Sequence, residues 1–249
     1  EAWQIVADRA IDVNKFVAVS KYYADVMRDR LGLHPEKVCV AHTGISLDGY
    51  EPSQARPEAP TIGYLSRACP DRGLDTLVEA FVHLKAKPEL KNAKLRIGGG
   101  HTPDDRAFID KIRRRLSSCG LSDDVEFVED FGLAARQAFL RTLSVLCVPE
   151  KQPVAYGLYV LEALAAGVPV VQPAHGVFPE LLEMTGGGLL CEPNNTKAFA
   201  AAMESLLLDP DYARQLAAQG RNAVIEKFNI DQTVRNLVRI YEEVVQHGI

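Results

Sequence analysis

The stretch 144–173, SVLCVPEKQPVAYGLYVLEALAAGVPVVQP, predicts the fold of the chain. Its first apolar run, 144–148, is typical of a buried strand and leads into a loop. Apolar residues then recur at helical spacing over 157–166, and Gly167 is placed to end that helix in a left-handed cap. A second apolar run follows at 168–171. This order predicts a βαβ unit, in which the loop after the first strand and the start of the helix border a ligand crevice.

Glu162 lies in the middle of this predicted helix, between two apolar residues. One interpretation is a carboxylate on a solvated helix face. The other is a carboxylate one to two turns inside the crevice, where it would accept hydrogen bonds from a ligand hydroxyl. The spacing alone leaves both open.

The composition favours a folded α/β protein and argues against nucleic acid as a partner. With 249 residues, 47% of them apolar and 24% charged, the chain can bury a large core and is long enough for one domain and part of a second. The net charge is −5, and the basic cluster 111–115 is typical of a solvated helix face. No apolar run approaches the ~20 residues that would span a bilayer.

The cysteines predict the cellular compartment of the protein, and the first residues predict that the sequence is a piece of a longer chain. The five cysteines are scattered, odd in number and without metal-ligand spacing, which is typical of free thiols in a reducing compartment, so we expect a cytoplasmic location. They are Cys39, Cys69, Cys119, Cys147 and Cys191. Neither a signal peptide nor an initiator Met opens the chain, and Glu1 falls within a predicted helix, so we expect a piece of a longer protein.

A proline-rich segment divides the chain. Residues 1–48 predict two strands with a helix between them, capped by Ser20 and ended by Gly32. Residues 49–60 contain three prolines and few apolar residues, which is typical of a linker at a domain boundary.

After the linker, strands and helices alternate. Six apolar runs predict strands at 61–65, 94–97, 125–128, 144–148, 168–171 and 188–191. The fold predicted is α/β, a doubly wound, six-stranded parallel sheet with helices on both faces, preceded by the remnant of another domain. Pro210 starts a further helix that Gly220 is expected to bend or break, and Asp231 is expected to cap the last helix, 232–246.

Arg67 and Arg72 occupy the loop after the first strand of this sheet, which leads into a helix start at Gly73. Such a loop is suited to an anion, and two guanidinium groups could hold a diphosphate in bidentate fashion. The alternative is an ordinary pair of exposed arginines.

Other candidate groups give weaker signals. Gly98, Gly99 and Gly100 follow the second strand and would allow a backbone to approach a ligand. They do not match the dinucleotide fingerprint, and a tight turn is the favoured interpretation. His101 and His175 lie at predicted strand ends. The sequence contains no Ser-His-Asp order, paired-carboxylate spacing or metal cluster, so catalysis in this segment would depend on binding and positive charge.

Several of these motifs occur together, in the same order, in one known family. The segments are FVAVSKYYADVMRDRLGLHPEKVCVAHTGIS, TIGYLSRACPDRGLDTLVEAF, YGLYVLEALAAGVPVV, HGVFPELL, GGGLLCEPNN and the helical C-terminal segment. The chain thus resembles the C-terminal, donor-binding half of a retaining family 4 glycosyltransferase of the GT-B fold, among the glycosyl transferases group 1. The resemblance implies that 1–48 ends an acceptor-side domain, 61–227 binds the nucleotide-sugar donor, and 228–249 packs back on the N-terminal domain.

The resemblance assigns roles to residues at matching positions. Arg67 and Arg72 match the two cations that hold the donor diphosphate and stabilise the departing nucleoside diphosphate. Glu162 matches the second of two signature glutamates and is expected to bond the ribose hydroxyls. The family requires no metal, and we expect no cofactor beyond the donor itself.

Four backbone positions complete the predicted donor site. Gly157 and Leu158 match the helix start whose amides approach the donor. Gly73 and Gly99 lie in the two other loops that face the crevice.

One departure from the family pattern opens alternatives. The first signature glutamate should lie eight residues before Glu162, where this chain has Val154, and the loop 149–156 is one residue longer than in the family. Glu150 is a candidate replacement. A non-catalytic nucleotide-binding module is therefore an alternative function. A nicotinamide-dependent reductase is a third possible function, which the positions of the glycines in this chain disfavour.

The resemblance also implies the partners. They are a nucleoside-diphosphate sugar and the missing N-terminal half of the same protein, which would bind the unidentified acceptor and through which a peripheral membrane association is possible. Without that half, the segment is expected to be inactive.

Overall fold

The structure, a computed structural model, describes residues 2–52, 57–130 and 132–246. Part of the predicted linker, 53–56, and the last three residues of the chain lie outside these described residues.

The first unit is a small parallel pair of strands with helices against it. Its elements are α1 Ala2–Asp8, β1 Phe16–Ala18, α2 Lys21–Leu31 and β2 Val38–Val40, with β1 paired in parallel to β2. Ser20 caps α2 as predicted, since its hydroxyl oxygen accepts a hydrogen bond from the Tyr23 amide at 3.0 Å. Gly32 ends α2 in the left-handed conformation, with φ of 64°.

The second unit is the doubly wound parallel sheet that the sequence predicts. Its strands are β3 Thr61–Leu65, β4 Lys94–Gly98, β5 Val125–Phe127, β6 Val145–Cys147, β7 Val170–Pro173 and β8 Gly188–Cys191. All pairs are parallel, in the order β5-β4-β3-β6-β7-β8. The winding direction reverses between β3 and β6, so the ligand crevice of such a sheet falls beyond the carboxyl ends of these two strands.

Helices cover both faces of the sheet and bury two apolar cores. They are α3 Leu74–Lys85, α4 Arg106–Ser118, α5 Leu133–Leu140, α6 Leu158–Ala165, α7 Phe178–Thr185, α8 Thr196–Leu208, α9 Pro210–Lys227 and α10 Ile230–Gln246. Within β6, Val145 and Cys147 join the core under α3, α4 and α8, whereas Leu146 joins the core under α5, α6, α7 and α9. This alternation is the period of two expected of a strand buried on both faces.

Two expectations about the C-terminal helices are wrong. Gly220 does not interrupt α9. Its missing side chain lets the helix approach its neighbours, because an added Cβ would lie 2.6 Å from Leu164 Cδ2 and 2.8 Å from Gly187 Cα. Asp231 does not cap α10, since the amide of Gln232 donates to Asn229 Oδ1 at 2.8 Å instead.

The start of α10 contacts the end of the first unit. The amide of Gly44 donates to Thr233 Oγ1 at 2.7 Å, and that of Ile45 donates to the Phe228 carbonyl at 2.9 Å. The predicted packing of 228–249 on a larger N-terminal domain, and the remaining domain boundaries, stay predictions.

Candidate functional site

Two loops meet at the carboxyl ends of β3 and β6, where the sheet topology predicts the crevice. The loop 66–73 carries both candidate arginines into α3, and the loop 148–157 leads into α6. The amide of Lys151 donates to the Asp71 carbonyl at 3.0 Å. A Cβ added to Gly73 would lie 1.8 Å from the Pro149 carbonyl oxygen, so only glycine permits this contact.

Tyr64 holds both ends of the arginine-bearing loop. Its side chain is fully buried, and its hydroxyl donates to the Arg67 carbonyl at 2.9 Å and lies 3.3 Å from that of Arg72. Burial raises the pKa of Tyr64, so the hydroxyl stays a donor at ordinary pH. Tyr64 is not among the site residues that the sequence predicts, although a tyrosine within an apolar buried strand needs a partner for its hydroxyl.

Arg67 is half-exposed and is already held along one edge. Its Nε and Nη2 donate to Asp105 at 2.8 and 3.0 Å, and Nη2 also lies 2.9 Å from Thr102 Oγ1. Hydrogen bonds from Arg67 and then from Thr102 hold the pKa of Asp105 well below its usual range. Arg67 therefore cannot bind a diphosphate through this edge while Asp105 holds it. Its Nη1 forms no ion pair or hydrogen bond with any described residue and is available to a ligand.

Arg72 is paired with Glu150, the acid that the sequence offers as a replacement for the missing glutamate. Arg72 Nη1 lies 2.9 and 3.0 Å from the two carboxylate oxygens of Glu150, whose side chain is buried. Burial raises the pKa of Glu150, and the positive charge of Arg72 opposes the rise. His175 Nε2 donates to the Glu150 carbonyl at 3.0 Å. The carboxylate of Glu150 is therefore engaged in holding the guanidinium of Arg72.

Val154 helps to hold the loop 148–157 in place through its backbone. Its carbonyl accepts a hydrogen bond from the Val177 amide, just before α7, at 3.1 Å, and its side chain packs against the apolar core under α6. The Tyr156 hydroxyl and His175 Nδ1 are buried without a hydrogen-bond partner in the described part of the chain. Such atoms ordinarily bind water or a ligand.

Glu162 is buried, so the interpretation as a solvated helix carboxylate is wrong. Its Oε1 accepts a hydrogen bond from the Tyr50 hydroxyl at 2.8 Å and forms an ion pair with Arg136, whose Nη2 lies 3.0 Å away. Burial raises the pKa of Glu162, and the bond from Tyr50 and the charge of Arg136 oppose the rise. Burial and the bond to Glu162 raise the pKa of Tyr50 to about 12. Its role toward a ribose stays a prediction.

The remaining predicted positions have backbone functions in the structure. Gly99 has φ of 122°, and a Cβ added there would lie 2.0 Å from the Ser66 carbonyl oxygen, so it interlocks the loops after β3 and β4. Gly157 precedes the first turn of α6 without a side-chain cap, and Leu158 is 41% exposed there. The amides of this turn are suited to an anion. Donor contacts by Gly73, Gly99, Gly157 and Leu158 stay predictions.

The described residues contain neither a cluster of metal ligands nor a membrane-spanning helix. Among these, no group of three His, Cys, Asp or Glu side chains is arranged to hold a metal ion. No described helix is both long and apolar enough to cross a bilayer. The five cysteines are free thiols.

Comparison with known sequences establishes the family. The model of the family "Glycosyl transferases group 1" matches residues 50–223, and the chain belongs to this family. A GDP-mannose-dependent alpha-(1-6)-phosphatidylinositol monomannoside mannosyltransferase of Mycobacterium tuberculosis is 30% identical over 186 residues, which are 72% of this chain and 46% of that protein. A D-inositol 3-phosphate glycosyltransferase of Streptomyces bingchenggensis is 24% identical over 94% of this chain and 53% of its own length. The chain thus spans about half the length of these relatives.

Solved structures confirm the GT-B glycosyltransferase fold. Anabaena Alr3699/HepE in complex with UDP superposes with a TM-score of 0.87 at 17% identity, covering 97% of this chain and 67% of that one. A glycosyltransferase from Rickettsia africae gives a TM-score of 0.85 at 20% identity, covering 98% and 66%. The resemblance found in the sequence is therefore confirmed at the level of family and fold.

Proposed function

We propose that this chain is the donor-binding part of a glycosyltransferase that takes a sugar from a nucleoside diphosphate, with retention and without a metal ion. The observation that carries the proposal is the placement of Arg67, Arg72 and the uncapped start of α6 on the loops that follow β3 and β6, the strands at the switch point of the sheet. Each supplies N–H groups to one end of the crevice. A diphosphate is the ligand that such a set of donors recognises.

The chemistry proposed for these groups is stabilisation of the leaving group. As the glycosidic bond breaks, negative charge grows on the departing nucleoside diphosphate, and N–H donors already held in place stabilise it. One such donor contributes ~3–4 kcal/mol in other enzymes. The acceptor would be bound by the N-terminal half, so the segment alone would bind donor without transferring sugar.

The relatives support a nucleotide sugar as donor. The M. tuberculosis relative is named for GDP-mannose, and the Anabaena neighbour was solved with UDP and with UDP-glucose. These names agree on the class of donor and differ in the base.

A non-catalytic nucleotide-binding module is the second candidate function. Val154 favours it, because this side chain can neither accept a hydrogen bond nor carry charge where the family pattern has an acid. Sugar transfer by the complete, unmodified protein would contradict this candidate. Transfer gained only in a Val154→Glu variant would support it.

Calorimetric titration of the chain with UDP, GDP and ADP tests the main proposal. We expect one of these nucleotides to bind. The double variant Arg67→Ala/Arg72→Ala should bind that nucleotide about tenfold to a hundredfold more weakly. A lost charge-assisted hydrogen bond costs ~1.5–3 kcal/mol, which corresponds to this range.

Arg115→Ala is the matched control for that titration. Arg115 is held by Glu79 through two bonds of 2.6 and 2.7 Å, on the outer helices α3 and α4, so its loss removes a similar ion pair away from the crevice. Nucleotide binding that survives in the double variant as well as in the control would exclude the crevice arginines as the phosphate site.

A further inference from the structure

A cavity of about 280 Å³ lies at the carboxyl ends of β4 and β5, against α4. The loop that carries Arg67 forms one side of it. Ala68, the next residue, lines the cavity, and its amide donates to the Gly100 carbonyl at 2.9 Å. A ligand with its diphosphate at the arginines therefore has this cavity within reach of its nucleoside end.

The floor of the cavity is apolar and suits the face of a flat aromatic ring. Ile97 and Ile109 are buried there, and Phe127 and Val128 are partly buried. The backbone of Gly98 and Gly100 adds no side chain to the rim. Burial of an aromatic base against such a surface is favourable through both its area and its stacking.

Two side chains of opposite charge line the cavity, and their hydrogen-bonding groups would select among nucleotide bases. Arg113 from α4 lines it with a guanidinium whose central carbon lies 4.8 Å from the centre of the Phe127 ring. Glu129, two residues after β5 ends, also lines it. Arg113 offers only donors and Glu129 only acceptors. Neither forms an ion pair with another residue within the described ranges, so both are available to a ligand.

We propose that this cavity binds guanine, which makes the donor a GDP-sugar; the inference depends on the proposed function. Guanine presents two adjacent acceptors, O6 and N7, that match an arginine, and two adjacent donors, N1–H and the 2-amino group, that match a carboxylate. Uracil has a single N–H between two carbonyl oxygens. A carboxylate that approaches this N–H is repelled by the two oxygens beside it. Adenine offers an amino group to the acid but has no pair of adjacent acceptors for the arginine. Arg113 and Glu129 are thus specificity-determining residues.

Titration of the chain with GDP, UDP and ADP, in wild type and in Glu129→Gln, tests the inference. We expect wild type to bind GDP at least tenfold more tightly than UDP or ADP. Glu129→Gln should lower GDP affinity about tenfold, because a carboxamide accepts from one guanine donor and opposes the other. The same change should raise UDP affinity, since it removes the negative charge that repels the uracil carbonyl oxygens. Arg113→Gln should likewise weaken GDP selectively.

Neighbouring residues provide matched controls. Asp130→Asn removes the same charge from the same loop, and Arg114→Gln removes the same charge from α4, and neither residue lines the cavity. Circular dichroism melting checks that every variant is folded.

The outcomes separate this inference from the proposed function. UDP or ADP binding as tightly as GDP to wild type would overturn the guanine assignment and leave the donor domain standing. A GDP preference unchanged by Glu129→Gln and Arg113→Gln would overturn the cavity as its origin. Failure of the folded wild type to bind any nucleotide would overturn the donor function and the guanine assignment together.

Discussion

Each arginine of the crevice is paired with a buried carboxylate from its own chain. Asp105 holds Arg67 by two bonds, and Glu150 holds Arg72 by two more. The pairs fix the direction of each guanidinium, but they also cancel its net charge. An anionic ligand is therefore attracted by the N–H groups that remain and by the start of α6, rather than by two bare cations.

Glu150→Gln should strengthen binding of a small divalent anion to the crevice. Sulfate is a suitable probe, because its charge is constant from pH 5 to 8. Removing the carboxylate leaves Arg72 with a full positive charge, and we expect sulfate affinity to rise about tenfold at pH 7. Burial raises the pKa of Glu150, so its protonation on acidification should strengthen sulfate binding in wild type, and the variant should lack this part of the pH dependence.

Glu79→Gln is the control for this change, since Glu79 pairs with Arg115 outside the crevice. Calorimetry at several pH values measures both variants. If Glu150→Gln weakened sulfate binding, the carboxylate would be required to orient Arg72, and its charge would not compete with the ligand.

The sequence places the two arginines correctly at a strand end but does not predict their partners. Apolar runs and helix starts define the loop locally, whereas Asp105 and Glu150 lie 38 and 78 positions away along the chain from the arginines they hold. Glu162 shows the same limit. Its burial depends on Tyr50 from the linker and on Arg136 from α5, which only the tertiary packing brings to α6.

At the scale of elements, the loops of the crevice require glycine for two separate reasons. Gly73 has φ of 71°, a left-handed conformation, and it also touches the Pro149 carbonyl across the two loops. Gly120 has nearly the same backbone, with φ of 68°, but an added Cβ there would meet no atom within 4 Å. The two positions therefore differ only in the close approach.

Gly73→Ala should destabilise the protein clearly more than Gly120→Ala. Both changes carry the left-handed penalty of ~1–2 kcal/mol, and Gly73→Ala must in addition push the loops 66–73 and 148–157 apart. We expect a further loss of ~1–3 kcal/mol in unfolding free energy, as for overpacked sites, measured by urea denaturation. Equal losses in the two variants would show that the contact with Pro149 is not required.

The elements themselves follow from local patterns, and the exceptions have tertiary causes. The strands Thr61–Leu65 and Gly188–Cys191 match the predicted limits because the apolar runs and the turn residues that flank them act within each segment. Gly220 stays helical because packing against Gly187 favours a residue without a side chain more strongly than helix propensity disfavours it.

At the scale of the whole molecule, an acid from the sheet unit caps a helix of the first unit. Both oxygens of Glu180 on α7 accept backbone amides at the start of α2, from Lys21 at 2.9 Å and from Tyr22 at 3.0 Å, and His42 Nε2 lies 2.7 Å from Oε1. Ser20 donates to the Ala155 carbonyl at 2.9 Å, within the loop that leads to α6. The first unit is thus attached directly to the loop of the candidate donor site.

Glu180→Gln should loosen this attachment. The carboxamide has one acceptor oxygen where the carboxylate has two, so one amide at the start of α2 loses its partner, at a cost of ~1–2 kcal/mol. We expect faster hydrogen exchange of the first-turn amides of α2, with exchange in β3 and β6 unchanged. Burial raises the pKa of Glu180, but the bonds from His42, Lys21 and Tyr22 outweigh it and leave the pKa lowered. The carboxylate therefore stabilises the attachment above its usual pKa of 4.5, and this stabilisation is lost as the pH falls through the lowered value.

Glu36→Gln is the control, because the His34–Glu36 pair has a longer separation of 3.8 Å and both side chains are mostly exposed. Hydrogen exchange of this variant should equal that of wild type, since an exposed pair adds little stability. Acidification should then lower the protection factors of the α2 amides, which compare exchange with the intrinsic rate at each pH, in wild type and in Glu36→Gln. It should change them less in Glu180→Gln, where the carboxylate is absent. The same acid response in all three proteins would mean that another group attaches the first unit to the sheet, and that the loop 148–157 is held at Ala155 without help from Glu180.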